Sequence, residues 1–539
     1  MLPNFDQWSA TQVFLASAVG WVVYCVGVAI HRLYFSKYAK FPGPKLAGLT
    51  YGYMFYYDVI AGSGQYIYKI KELHEEYNSP IIRISPHELH VIDPDFYDIL
   101  FASFPARRDK PPTWSHAFSN IDSTFGTTRH DIHRLRRNAL APFFSASSLR
   151  KLEPLILSKI TSLISVFRRY QKAGEQIPMR PAFGALTSDI IAEYCFGISE
   201  NYIEAEGFNR VVMEATDALS NNTHITVNAQ WLPKVLDMLP EKIMESVVGP
   251  GMAKFNSMKH HCIKKIQETI STRGDFHDVK HRTIFQELLE NQSLPEKDKS
   301  ADRLWQEAQL LLSAGTVTTA GAISAAFVYL LLDHERLAVL LEELECAMPD
   351  INKPLTAAEL EQLPYLTGVV QETLRLVSGV SYRLTRSAPT EALQLGKWTI
   401  PPNTALSMHY PLIHLSPTVY PEPWSFIPER WLPSPPPKTS YPIPSRPEGI
   451  PEASTKYLMP FSKGTRNCLG WPLANAELYL TIPIVARTFL SLERDDEGKV
   501  VGVKGMKLFE TDRRDTDMKK DLGFSAPEDG RGNMRIVIE

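Results

Sequence analysis

Residues 461 to 470 read Phe461-Ser462-Lys463-Gly464-Thr465-Arg466-Asn467-Cys468-Leu469-Gly470. Five of them, Phe461, Gly464, Arg466, Cys468 and Gly470, stand in the pattern F-x-x-G-x-R-x-C-x-G. Five fixed positions at about 1/20 each arise by chance in roughly one chain of this length in several thousand. The residue types share one chemistry. A thiolate can serve as axial ligand of haem iron and push electron density toward O–O cleavage. Glycines let backbone approach a flat macrocycle closely. Leu469-Gly470-Trp471-Pro472 opens a helix, and the N-terminal dipole of a helix favours a thiolate. On this reading Cys468 is the metal ligand, Phe461 keeps the sulfur dry, and Arg466 pairs with a haem propionate. Cys25, Cys195, Cys262 and Cys346 lack such surroundings and are expected to be ordinary buried thiols.

The whole chain agrees with a large haem enzyme. It has 539 residues, of which 44% are hydrophobic and 22% charged, ordinary values for one sizeable core. Lys plus Arg is 57 and Asp plus Glu 60, so no basic excess points to nucleic acid. Five scattered cysteines without a C-x-x-C exclude a disulfide framework and a zinc site.

The N-terminus reads as a retained membrane anchor, against a cleaved signal peptide, which would want a basic start where Asp6 is the only early charge. Val13 to Ile30 carries no charge, which is the lower end of a helical span. Arg32, Lys37, Lys40 and Lys45 follow it and no cation precedes it, so the positive-inside rule puts residues 1–12 in the lumen. No second apolar run of that length without charge is expected downstream. Residues 31–45 form a basic, proline-bearing linker, and 46–539 form one mainly helical domain with small β-sheets. Helices are expected over Leu149 to Tyr170 and Asp302 to Leu332. Strands are expected over Ile81 to Ile84, Leu89 to Ile92, and a pair Trp398 to Ile400 and Ala405 to Met408 turned by Pro401-Pro402-Asn403. Eight prolines between Pro433 and Pro451 mark an irregular loop.

With these residues quoted, the chain resembles the cytochrome P-450 family of haem-thiolate monooxygenases over nearly its whole length. The resemblance implies haem b on Cys468 and the family's mainly helical fold. It also implies electrons from NADPH through a separate cytochrome P-450 reductase, since no dinucleotide or flavin fingerprint occurs in the chain. Glu372-Thr373-Leu374-Arg375 is similar to the family's E-x-x-R, and Arg430 in Phe426-x-Pro428-Glu429-Arg430-Trp431 resembles its partner. The three imply a buried structural network bracing the haem loop. Ala314-Gly315-Thr316-Val317-Thr318-Thr319 resembles the motif of the family's long distal helix. There small residues would let the helix pass over the haem, and a loosened ladder would make a groove for water. Thr318 takes the oxygen-activating position and Thr319 follows it as a second catalytic hydroxyl. The rival is a Thr318 hydroxyl that simply bonds back to its own helix. Val317 replaces the usual acid, which leaves either proton delivery through hydroxyls and water or a reaction other than simple hydroxylation.

His133 and Arg137 lie where relatives hold one haem propionate, and Arg386 where they carry another propionate arginine. Phe41 to Leu46, Phe55 to Asp58 and His133 to Phe144 are similar to fungal trichodiene-oxygenase-like enzymes. That implies a lipophilic, terpenoid-leaning secondary metabolite as substrate. The pocket is expected around Phe118 to Phe125, Leu311 to Val317, Val380 to Tyr382 and Phe524. Residues 231–239 are expected either to dip into the membrane or to pack in the core. Arg136 and Lys463 are candidates for the reductase face, against plain surface charge. The expected location is the endoplasmic reticulum membrane, crossed once, with the domain cytosolic. The alternatives are a haem-thiolate desaturase, isomerase or dehydratase, and a non-catalytic haem binder.

Overall fold

The computed structural model describes residues 9–115, 120–229, 231, 232, 235, 238, 250–272, 283–434 and 442–539. The architecture is mainly helical with small sheets around one principal core. At its centre runs a 32-residue helix, Ala301–Leu332, most of whose side chains are buried. Residues 308–332 contain no Asp, Glu, Lys or Arg. The expectation that the anchor would be the one long uncharged apolar run therefore fails. Of the most apolar window in this helix, 78% is buried, so protein rather than lipid covers it.

The central helix packs on Met179–Phe196. A Cβ at Gly315 would lie 3.1 Å from Ile191, so glycine allows the two helices to close. Ser188 and Thr316 share a hydroxyl–hydroxyl bond of 2.9 Å, and the Thr187 hydroxyl donates to the Thr316 carbonyl at 3.2 Å. Gly315 thus serves helix–helix contact, which corrects its assignment to haem clearance. The helix is also unbroken through 314–319, so the loosened ladder is not observed.

Local signals set the other long helix well. Ser145 caps Ala146–Ala173 by accepting from Ser148 N at 3.3 Å. Gly174 ends it with φ +66, a conformation that costs glycine little. Leu149, Leu152, Ile156, Ile160, Leu163 and Phe167 make its buried stripe.

A four-stranded sheet forms the second centre of packing. Ile81–Ser85 pairs antiparallel with Glu88–Val91, which pairs parallel with Ala405–Met408, which pairs antiparallel with Leu384–Arg386. Trp398–Ile400 instead pairs with Leu393–Leu395. The turn at 401–403 therefore joins two sheets and does not make the expected hairpin.

The N-terminal helix starts at Ala10, three residues before the uncharged run, because Ser9 and Gln12 form a capping box. Its 21 residues span about 32 Å, and none of its side chains is buried. It continues as a π-helical turn, His31–Phe35, and together they form a candidate membrane span. The basic flank does more than mark topology. Arg32 donates to Leu49 O at 2.7 Å, Lys37 to Pro402 O and Asn403 O, and Lys40 to Thr399 O at 2.8 Å. Of the other cysteines, Cys195 and Cys262 are buried as expected, whereas Cys25 and Cys346 are exposed.

Candidate active site

The cysteine loop is held from several sides. Cys468 N donates to Phe461 O at 2.8 Å and closes the loop across a 3-10 turn, Gly464–Arg466. The helix Trp471–Phe489 begins directly after it, with Pro472 in its first turn. Backbone N–H groups of Gly470 and Trp471 reach the sulfur. Burial pushes the thiol up, and those two donors with the Arg137 guanidinium pull it back toward the thiolate. Cys468 keeps accessible surface although protein surrounds it, so that surface opens inward.

Gly464 has φ +72, and a Cβ there would lie 2.1 Å from Phe101 O. Its glycine is demanded by the 101–102 backbone. At Gly470 a Cβ would meet nothing closer than Phe144 at 3.9 Å. The assignment of both glycines to macrocycle clearance is therefore replaced at Gly464 by a protein contact.

Behind the loop, Glu372, Arg375 and Arg430 come together fully buried. Arg375 makes two 2.8 Å bonds to the Glu372 carboxylate, and Arg430 one of 3.0 Å. Trp431 Nε1 and Ile427 N complete the carboxylate's partners. Helix Pro364–Leu376 is seated by Glu343, which accepts from Tyr365 N and Leu366 N. His414 carries the contact onward. It bonds the Arg375 carbonyl through Nδ1 and accepts from Met459 N at 2.9 Å, two residues before Phe461. Burial takes His414 down to about 3, so it stays neutral. Sequence reasoning missed His414, and no local pattern marks it.

On the other side of the loop, cations gather with little opposing charge. Arg386 and Arg466 are brought down to about 10 and about 9 by burial, and Arg466 also by Arg386. Lys110 joins them, donating to Phe125 O, and is lowered strongly by burial and by both arginines. His133 is driven down by burial and four neighbouring cations, and its Nδ1 has no partner among the described residues. Asp109 is the acid acting on Arg466. This unpartnered ring nitrogen and mutually repelling cations beside an enclosed thiol fit a dianionic, iron-bearing haem. Lys110 was missed, although Arg107-Arg108-Asp109-Lys110 is a visible basic cluster. Arg137 differs from its expected place. Its guanidinium goes to Asn467 O at 2.7 Å and Asn467 Oδ1 at 2.5 Å, gripping the cysteine loop itself.

Ala314 and Thr318 lie one turn apart on the accessible side of the central helix. The Thr318 hydroxyl donates to Ala314 O at 2.9 Å, the bond back to its own helix that the rival reading expects, and its lone pairs remain as acceptors. Val317 is buried at 6% exposure. Thr319 is also buried and is set toward Glu477 of the helix behind, away from the accessible side. Among the described residues neither oxygen of Glu477 completes a hydrogen bond. The Thr319 hydroxyl acts on it from close by, and burial holds the carboxyl well above its usual range.

Four residues expected to line the pocket, Phe125, Val380, Tyr382 and Phe524, pack in one hydrophobic cluster with Val227 and Leu384. A Cβ at Gly379 would lie 3.6 Å from Thr318, so this wall adjoins the central helix. Residues 118 and 119 lie outside the described residues, as does most of 231–239. Trp231, Val235 and Met238 are exposed. Of the reductase candidates, Arg136 is locked to Asp298 at 2.7 Å and Lys463 to Asp98 at 2.7 Å, so neither is a free surface cation.

The family model described as Cytochrome P450 matches residues 42–501. The cytochrome P450 monooxygenase tpcC of Cochliobolus heterostrophus is 38% identical over 96% of each chain. The tryptophan 6-hydroxylase fscE of Fusarium equiseti is 36% identical over 96% of this chain and 95% of its own. The conidiogenone synthase PchP450 of Penicillium rubens is 34% identical over 96% of this chain and 98% of its own.

Proposed function

Because the chain belongs to the cytochrome P450 family, we propose that it is a membrane-anchored monooxygenase placing one atom of O2 into a lipophilic fungal secondary metabolite, terpenoid-like by preference. The observation that carries this reading is Cys468, enclosed and supplied with two backbone N–H donors at the start of a helix. Bound haem supplies the oxidising chemistry through its thiolate ligand. The protein's own residues do the rest. Cys468 holds the iron, Arg386, Arg466 and Lys110 neutralise the propionates, and neutral His133 offers a ring nitrogen beside them. Thr318 accepts and passes a proton at its Oγ, fed by water because Val317 cannot relay one. Glu372, Arg375, Arg430 and His414 hold the loop rigid. Phe125, Val380, Tyr382 and Phe524 present an apolar wall that selects a lipophilic substrate. The electrons come from NADPH through a separate reductase, and the N-terminal helix holds the chain in the endoplasmic reticulum membrane with its domain in the cytosol.

The test uses microsomes containing this chain and a fungal reductase. They are given NADPH, isotopically labelled O2 and an extract of cells lacking the gene. A metabolite gaining one labelled oxygen is the expected result. A metabolite that changes without label overturns oxygen insertion and favours the desaturase or isomerase reading, to which Val317 points.

A further inference from the structure

Three buried histidines form a continuous chain outside the site described above. His74 Nδ1 bonds the Ser79 carbonyl at 2.7 Å. His74 Nε2 meets His90 Nδ1 at 2.8 Å, and His90 Nε2 meets His409 Nδ1 at 2.9 Å. His409 Nε2 then faces Asp521 Oδ2 at 3.6 Å and completes no bond among the described residues. All three rings and Asp521 are at most 5% exposed. They come from four separate segments: helix Tyr66–Glu76, strand Glu88–Val91, the residue after Ala405–Met408, and strand Lys520–Asp521.

The polarity of this chain follows from its end. A carbonyl only accepts, so His74 Nδ1 carries the proton. Neutral His74 then accepts at Nε2, His90 donates from Nδ1 and accepts at Nε2, and His409 donates from Nδ1. His409 Nε2 is left as a bare lone pair aimed at a carboxylate. Two acceptors facing each other in a buried place repel, and one additional proton between them removes the conflict. Burial lowers His74 to about 4 and also lowers His90 and His409, and only at His409 does a carboxylate, Asp521, pull the ring back toward the protonated form.

Asp521 stands at a joint of the pocket wall. Its Oδ1 accepts from Ser381 Oγ at 2.7 Å. Ser381 N donates to Gly523 O at 3.1 Å, Ser525 N to Gly379 O at 3.3 Å, and Val380 bridges Phe524. The same Gly379 adjoins Thr318.

We propose that Asp521 is a positioning residue for substrate, sharing a single proton with His409 at the end of the histidine chain, and that this proton holds the Phe524 turn against the 379–382 segment. Losing it sets the bare nitrogen against the carboxylate and opens the wall. That Phe524 faces substrate rests on the function proposed above. The shared proton does not.

Other charged groups face this joint and are accounted for. Arg383 pairs with Glu88 at 2.9 Å. Asp58 is pushed up to about 7 by burial, with Arg383 opposing. Tyr66, Tyr68, Tyr382 and Tyr410 are all raised by burial and remain neutral, and burial lowers His224. Lys520, on the same strand, is paired with Asp529. Asp58 is the one rival near neutral pH.

The sign is fixed by counting protons. Closed, the pair holds one. Opened at pH 7, an ordinary His and Asp hold none, so opening is favoured as pH rises, by about tenfold per pH unit in that window.

The test is hydrogen exchange by mass spectrometry on the full haem-loaded chain in lipid nanodiscs, corrected for the intrinsic rate at each pH. It needs neither substrate nor electrons. Peptides covering 519–526 and 378–384 should lose protection as pH rises, relative to 364–376. Asp521→Asn supplies a permanent donor to His409 and should flatten the profile. His74→Leu removes the polarity-setting ring, lets the chain reverse so that His409 donates to Asp521, and should flatten it too. Asp58→Asn should leave it unchanged. A flat wild-type profile, a profile persisting in both flattening variants, or one abolished by Asp58→Asn overturns the proposal. If Asp521→Asn does not fold, His74→Leu decides alone, because a purely structural Asp521 gives that distant ring no influence on pH dependence.

Discussion

Asn467 gives both its backbone carbonyl and its side-chain oxygen to the guanidinium of Arg137, so the residue beside the thiol is clamped by a two-pronged donor. Bonds to a charged donor contribute about 1.5–3 kcal/mol each. Arg137→Ala is expected to loosen the loop and remove a charge that favours the thiolate. Its reduced, CO-bound spectrum should show less of the red-shifted thiolate band than wild type. Arg137→Lys should recover only part, since a point donor cannot grip both oxygens.

Glu372 neutralises two arginines at once, with no solvent to replace it. Glu372→Gln leaves them buried and uncompensated. The expected loss is about 3–5 kcal/mol, read as a lower melting temperature and failed haem incorporation. Trp431→Phe removes a single donor to the same carboxylate and should cost less, about 1.5–3 kcal/mol.

Gly464 and Gly470 separate two effects that the motif alone confounds. Gly464→Ala forces a Cβ into the Phe101 carbonyl at an unfavourable φ, and should abolish soluble folded protein. Gly470→Ala meets open space at φ -84 and should leave circular dichroism and melting unchanged within about 1 kcal/mol. Equal losses in both variants would contradict this.

Glu477 is neutral in the fold and ionised when unfolded above a pH of about 4.3. A raised carboxyl means the folded state binds the extra proton, so stability falls as pH rises, by about 1.4 kcal/mol per unit at most. Glu477→Gln carries no charge in either state. It should match wild type near pH 5 and melt higher than wild type at pH 9. A variant that loses ground at pH 9 would show an ionised, paired Glu477 instead.

Thr318 presents its hydroxyl on the accessible side of the central helix. Thr318→Ala should raise peroxide released per NADPH and lower product by up to about 10²-fold, while Thr318→Ser keeps both near wild type. Unchanged coupling in the alanine variant would remove Thr318 from the proton path.

What the sequence disclosed and what it withheld divide along contact range. The cysteine loop, the Glu372–Arg375 spacing and the central helix, placed to within one residue, depend on neighbours a few positions apart. Periodicity and short motifs encode such neighbours directly. His414 reaches partners 39 and 45 positions away, and the histidine rings link across 16 and 319, so nothing local announces them; Lys110 stands in a visible basic cluster, but the arginines it faces are distant in the chain. Helix 301–332 shows the same limit in reverse. By composition it passes for a membrane span, and only the surrounding chain reveals that it is covered by protein. Strands 398–400 and 405–408 were placed correctly, while their partners were not, because register is set by the face that each strand buries.

The clamps at the base of the N-terminal helix decide where the chain can be cut. Arg32, Lys37 and Lys40 fasten the helix foot to carbonyls of the body, and Arg83 answers by donating to Arg32 O at 2.8 Å. A shortened, detergent-free version for crystallisation should therefore begin at residue 31. A start at residue 41 strips the three lysine and arginine fasteners and leaves the buried Arg83 head one acceptor short. The foot of the helix is thus tied to the body, and in a bilayer the two would turn as one piece.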